Sequence, residues 1–97
     1  MTVLRHYRMD SAEGKGGDLE RALAALAGAL KDVPGFEGAD VFCDADEPGR
    51  FIFIEKWSSI EAHKQGAAFL PKHAFTSVMA AIAGKPEACY LIPLPLA

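Results

Sequence analysis

Ninety-seven residues suffice for one small folded unit, residues 1–97, and leave no room for a second. Hydrophobic residues make up 51% of the chain and charged residues 24%, a balance that excludes a disordered tail. Ten Lys and Arg against thirteen Asp and Glu leave a net charge of −3. No basic cluster interrupts the sequence, so a nucleic-acid or anionic-membrane partner is not expected. The longest apolar runs fall far short of the roughly 20 residues of a membrane span. The opening MTVLRHYRMD carries charges where a secretory signal needs an apolar stretch, so the chain reads as cytoplasmic.

Residues 2–9 alternate loosely and form a first strand, bounded by a stretch of small and polar residues up to Gly17. Asp18 is the expected N-cap of a helix running to Val33. Its apolar stripe is Leu19, Leu23, Leu26, Leu30 and Val33, and Pro34-Gly35 ends it. Residues 40–45 and 51–57 read as a hairpin across Glu47-Pro48-Gly49-Arg50, where Pro followed by Gly suits a type II turn. Ser58-x-x-Glu61 is a capping-box pattern opening a short helix. Pro71 interrupts that helix, and a second run sets Phe75, Val78, Met79 and Ile82 on one face before Gly84 and Pro86 close it. Residues 88–94 are the last strand, placed at a sheet edge by Pro93 and Pro95.

This β-α-β-β-α-α-β order is the split β-α-β pattern of an α+β, ferredoxin-like fold: a four-stranded antiparallel sheet with helices on one face. Yet segments 51–54 and 90–92 are apolar on both faces, as strands covered on two sides are. A second copy of the chain is the expected cover, giving a homodimer through the open sheet face.

Several patterns imitate functional motifs without meeting their chemistry. Asp44-x-Asp46-x-x-Gly49 with Glu55 in twelfth place resembles a calcium loop, but Pro48 stands where an oxygen ligand is needed. Gly14-Lys15-Gly16-Gly17 matches no phosphate-binding loop and reads as a flexible linker. His63 and His73 are ten apart across a proline, without metal-ligand spacing, so no metal is implied. Cys43 and Cys89 lack C-x-x-C spacing and read as free, small hydrophobes inside apolar strands.

The informative polar residues are those expected to face inward. His63 falls on the same helical face as Ile60, Ala67 and Leu70, whereas His73 points about 170° away from the apolar face of its own helix. A buried His is commonly just a hydrogen-bonded core residue, and His63 is weighed against that fate. The first strand is central in this topology and still carries Arg5, His6 and Arg8. Glu55 on the neighbouring strand could pair with one of them. Alternatively they line a pocket with aromatic walls from Trp57, Phe53, Tyr7, Tyr90 and Phe69. Alternation does not settle which face of the first strand each residue takes.

Glu55-x-Trp57-Ser58-Ser59-x-Glu61-Ala62-His63, following an apolar strand, resembles the antibiotic biosynthesis monooxygenase (ABM) family. Val33-Pro34-Gly35-Phe36-Glu37-Gly38 is similar to another signature of that family. The resemblance implies a dimeric α+β barrel with a pocket between sheet and helices. Some members oxygenate quinols or anthrone-like aromatics with O₂ and no flavin, metal or haem. In that chemistry a phenolic substrate is deprotonated and its anion reduces O₂ directly. The resemblance implies His63 as base, Trp57 as positioner of the ring, and Arg5 or His6 as stabiliser of the anion. His6, Tyr7, Phe53, Phe69 and Tyr90 would contact the substrate. Haem-degrading relatives share an Asn on the first strand and a His ten residues after the Trp. This chain has no Asn, and Ala67 occupies that position, so haem degradation is not implied.

The leading expectation is a cofactor-independent monooxygenase for a small hydrophobic aromatic or quinol-type substrate. The alternatives are a non-enzymatic small-molecule-binding or stress-response protein on the same barrel, and an oxygen-independent isomerase, decarboxylase or cyclase.

Overall fold

The computed structural model describes residues 1–96. The chain order is β1 (Val3–Ser11), α1 (Gly16–Leu30), β2 (Phe36–Cys43), β3 (Arg50–Trp57), α2 (Ile60–Gly66), a 3₁₀ turn (Ala67–Phe69), α3 (Lys72–Ala80) and β4 (Ile82–Leu91). The strands form one antiparallel sheet in the order β2-β3-β1-β4, and the fold is the expected ferredoxin-like α+β arrangement.

Pairing fixes the faces that alternation left open. Phe51, Phe53, Glu55 and Trp57 of β3 are buried on the helix side, while Lys56 is exposed on the other. Arg5 lies opposite Glu55 and Tyr7 opposite Phe53, so both share that covered face. Leu4, His6 and Arg8 lie opposite Lys56, Ile54 and Ile52 and therefore point to the open face. The core closes when α1 lays Leu19, Leu23, Leu26 and Leu30 against the sheet, with Phe53 and Trp57 among the most deeply buried side chains. Ala74 and Val78 of α3 complete it.

Most element boundaries shift for identifiable reasons. Helix α1 begins at Gly16, two residues before Asp18, so half of the glycine stretch expected to be linker opens a helix. Asp18 sits inside the first turn, where its charge complements the helix dipole, and it binds Arg21 at 2.6 Å. The helix ends at Leu30, short of Val33, because Pro34 disfavours helical backbone in the residue before it. Strand β2 starts at Phe36 rather than 40, since Phe36 already pairs with Trp57 across an irregularity at Gly38.

The β2–β3 turn closes by Arg50 N–H donating to the Glu47 carbonyl at 2.8 Å, but Gly49 has no positive φ, so the turn is not type II. Asp44 organises it instead, accepting backbone N–H bonds from Asp46 and Glu47. The cap of α2 is Ser59, whose hydroxyl accepts from the Ala62 N–H at 3.0 Å, so the Ser58/Glu61 capping box does not form.

The largest correction concerns the C-terminal strand. Gly84 and Pro86 do not follow a helix; they lie within β4, which runs Ile82–Leu91 instead of 88–94. The register against β1 shifts between Arg8 and Asp10, with Gly84 at φ +72°. An edge strand tolerates such a bulge because one side of its backbone is unpaired. Both cysteines are exposed on the edge strands, contrary to the expectation that they pack as small hydrophobes.

Candidate functional site

The covered face of the sheet brings Arg5 and Tyr7 of β1, Glu55 and Trp57 of β3, and Tyr90 of β4 beneath α2, which supplies His63. Local chemistry sets that position. Gly35, at φ +86°, lets the segment before β2 pass so close to α2 that a Cβ there would lie 2.5 Å from Ala62 Cβ. The Ser58 N–H donates to the Gly35 carbonyl at 2.8 Å, and Phe36 meets Trp57 edge-on at 5.3 Å. Trp57 is itself edge-on to the His63 ring at 5.5 Å.

His63 is held at both nitrogens. Tyr7 Oη lies 3.1 Å from Nε2 and Tyr90 Oη 2.7 Å from Nδ1. A neutral imidazole has one N–H and one lone pair, so one tyrosine donates and the other accepts. Glu55 Oε1 accepts the Trp57 indole N–H at 2.9 Å and stands 3.8 Å from His63 Nε2. The Arg5 guanidinium carbon sits 4.3 Å from the centre of the Tyr90 ring and 5.3 Å from that of Tyr7. Its Nε is buried without a hydrogen-bond partner.

Burial governs the electrostatics. Glu55 is 4% exposed, and desolvation pushes its carboxyl above the usual range despite the Trp57 hydrogen bond and the positive charge of Arg5. Burial lowers the His63 pKa, and Arg5 lowers it further, so the ring favours its neutral form. The Tyr7 phenol is raised, first by burial and then by Glu55.

These groups open onto a cavity of about 210 Å³ lined by Tyr7, Glu55, Trp57 and His63, with Leu30, Leu70 and Phe75 as apolar walls. A second, smaller cavity shares Tyr7, Glu55 and Phe75 with it and includes Phe53. An apolar enclosure with a few convergent polar groups is the usual form of a small-molecule site.

Six of the eight residues singled out from sequence therefore come together: His63, Trp57, Arg5, Tyr7, Phe53 and Tyr90. Two do not. His6 is on the opposite face of the sheet, paired with Ile54 and Cys89, because one step along a strand reverses the side. Phe69, 61% exposed, sits on the 3₁₀ turn and does not line the cavity. Of the two alternatives for the first-strand bases, an ion pair with Glu55 is absent among the described residues: Arg8 pairs with Glu87, and Arg5 stacks on tyrosines. Sequence reasoning did not count Glu55 among the site residues and treated Phe75 only as core. The available signal was the file Phe51, Phe53, Glu55, Trp57, where a carboxylate interrupts an otherwise apolar inward face.

The family model for antibiotic biosynthesis monooxygenases matches residues 2–70, and the chain belongs to that family. Solved structures with the same fold include SnoaB, a cofactor-independent oxygenase from Streptomyces nogalater. It is 18% identical, with 98% of this chain and 95% of that one covered and a TM-score of 0.85. A candidate antibiotic biosynthesis monooxygenase from Bordetella bronchiseptica is 16% identical over 97% and 98% of the two chains, with a TM-score of 0.85. One from Chloroflexus aurantiacus is 23% identical over 100% and 97%, with a TM-score of 0.82. No curated protein matches the sequence.

Proposed function

We propose that the chain is a cofactor-independent monooxygenase acting on a small hydrophobic aromatic of the quinol or anthrone type. The observation that carries this reading is His63: an imidazole kept neutral by burial, on the wall of an apolar cavity, with a hydrogen-bond partner at each nitrogen. Membership of the monooxygenase family supports the reaction class.

In this reading Tyr7 relays the substrate proton: its hydroxyl takes that proton while giving its own to His63 Nε2, and Nδ1–H remains donated to Tyr90. Glu55, beside Nε2, steadies the imidazolium, and Arg5 favours negative charge on the tyrosine side of the pocket. The substrate anion gives one electron to O₂, and the resulting radical and superoxide combine to a peroxide. For an anthrone the peroxide takes back a proton and loses water, so a ring CH₂ and O₂ become a carbonyl and H₂O. All four electrons that reduce O₂ come from the substrate, and Trp57, on the cavity wall, would orient its ring.

The second protomer belongs to the same proposal. The open face presents Ile52, Ile54, Leu4 and Phe42, with Phe42 51% exposed, and a second copy of the chain would cover it.

The test is oxygen uptake with a panel of naphthoquinols and anthrones, compared with boiled protein and with His63→Ala. Saturable uptake above autoxidation, lost in the variant, is the expected result; uptake unchanged in the variant would move the base elsewhere. A second reading, a binding protein without turnover, draws on the fact that both His63 nitrogens are already engaged. It predicts saturable binding with no oxygen consumed.

A further inference from the structure

The smaller cavity has a chemistry of its own. It measures about 150 Å³ and, apart from Tyr7 and Glu55, which it shares with the His63 cavity, its lining is apolar. The space lies between α1, α3 and the sheet, over a floor of buried side chains that includes Leu23 and Phe53, and it opens to solvent at the rim of α3. About 150 Å³ is room enough for a benzene ring, and a lining this apolar favours hydrocarbon over water. Phe75 walls both cavities, and it is 41% exposed although it stands on the apolar side of α3. Met79, one turn on, is 53% exposed and rims the smaller cavity with an unbranched, pliable side chain. Thus α3 leaves large apolar side chains half in solvent around the opening instead of driving them into the core.

We infer that the chamber lined by Met9, Leu23, Leu26, Phe53, Val78 and Met79 is a second subsite. It receives an apolar ring or short alkyl appendage of the substrate whose ionisable ring lies at His63, and Phe75 is the wall between the two. This rests on the reading of the His63 cavity given above and extends it to the substrate's shape: hydroxyl groups at one end, hydrocarbon at the other. A polar substituent at the far end would be buried without a partner and disfavoured.

The experiment is calorimetric titration of the intact protein with phenol and 4-n-alkylphenols up to 4-hexylphenol, none of which requires turnover. Affinity should rise about fourfold for each of the first methylenes, the value of burying a CH₂ group, and then level off as the chamber fills. Phe75→Ala should move the levelling to longer chains. Met79→Trp, at a half-exposed position that tolerates bulk, should bring it to shorter chains and weaken 4-hexylphenol more than phenol. A gain identical in the wild type and both variants, no gain with chain length, or no binding by any member overturns the subsite. n-Butylbenzene distinguishes the two proposals: if it binds as well as 4-butylphenol, with the same response to the variants, the chamber stands and the phenolic reading of the His63 cavity fails.

Discussion

Gly66→Ala is the sharpest test of how the site wall is built. Gly66 is buried at the end of α2, and a Cβ there would lie 2.7 Å from Trp57 Cη2 and 3.1 Å from Cζ3. The indole has little freedom to retreat: it is 1% exposed, its N–H is bonded to Glu55, and its flank meets Phe36. Overpacking of this kind costs about 1–3 kcal/mol. Alanine in place of a helical glycine returns about 0.5–1 kcal/mol. The net loss, up to about 2.5 kcal/mol and centred near 1, corresponds to a fall in Tm centred at roughly 4–8 °C for a domain of this size. Gly28, inside α1, is the control, because a Cβ there meets nothing within 4 Å. Gly28→Ala should raise Tm by roughly 2–8 °C. Thermal unfolding followed by circular dichroism reads both, and the emission of the chain's single tryptophan reports on the Trp57 ring. If Gly66→Ala melts at or above the wild type with unaltered emission, the packing argument is wrong.

Glu55 has a raised pKa, so the folded state holds its proton more tightly than the unfolded chain, and the ionised form costs stability at neutral pH. Glu55→Gln keeps an acceptor for Trp57 and should melt at or above the wild type at pH 7.5. That advantage should shrink as pH falls through the folded pKa, which lies above 4.5; a lower Tm at pH 7.5 refutes the desolvation argument. His63 has the opposite sign: its contribution is complete above 6.5 and is lost as pH falls through its depressed folded pKa. Oxygen uptake should therefore fall to its half-value only below pH 6.5, and a half-value above 6.5 excludes neutral His63 as the base. Ile54→Asp places a carboxylate on the open face beside Asp40 and His6. Sedimentation should find a dimer for the wild type and a monomer for the variant, and a monomeric wild type at high concentration removes the dimer proposal.

The fold was legible wherever periodicity met a clear stop. The leucine stripe of α1 and the apolar run of β3 could be read because one repeats at the helical period and the other is continuous, with Pro34 and the Asp44–Arg50 turn as boundaries. The first strand resisted because Arg5, His6, Tyr7 and Arg8 offer no apolar alternation, and only pairing with β3 shows that Arg5 and Tyr7 face the helices. That parity separates six of the expected site residues from His6. Strand β4 was misread because Gly84 and Pro86 are helix terminators in one context and bulge residues on an edge strand in another. Phe75 shares a helical face with Val78, but Val78 is 8% exposed and Phe75 41%, since Phe75 walls a cavity instead of packing against a neighbouring element. Periodicity gives a direction from the helix axis and not the distance to what lies opposite.

The two family signatures meet in space, which explains why they report the fold more than the reaction. Gly35 touches Ala62, Phe36 packs on Trp57, and the Ser58 N–H reaches back to Gly35. Segment 33–38 and segment 55–63 are thus two halves of one contact, and its consequence is the placement of α2 over the sheet. His63 follows Ala62 directly, so its ring is delivered beneath α2 by backbone packing, before any partner on the sheet is specified. What the imidazole then meets is decided elsewhere: Tyr7 and Arg5 come from β1 and Tyr90 from β4. Replacing those three residues would leave the signature contact whole and change the chemistry available at both nitrogens. The reaction of a chain with this fold is therefore to be sought in the inward-facing residues of β1 and β4, and in this protein they are an arginine and two tyrosines around a neutral histidine.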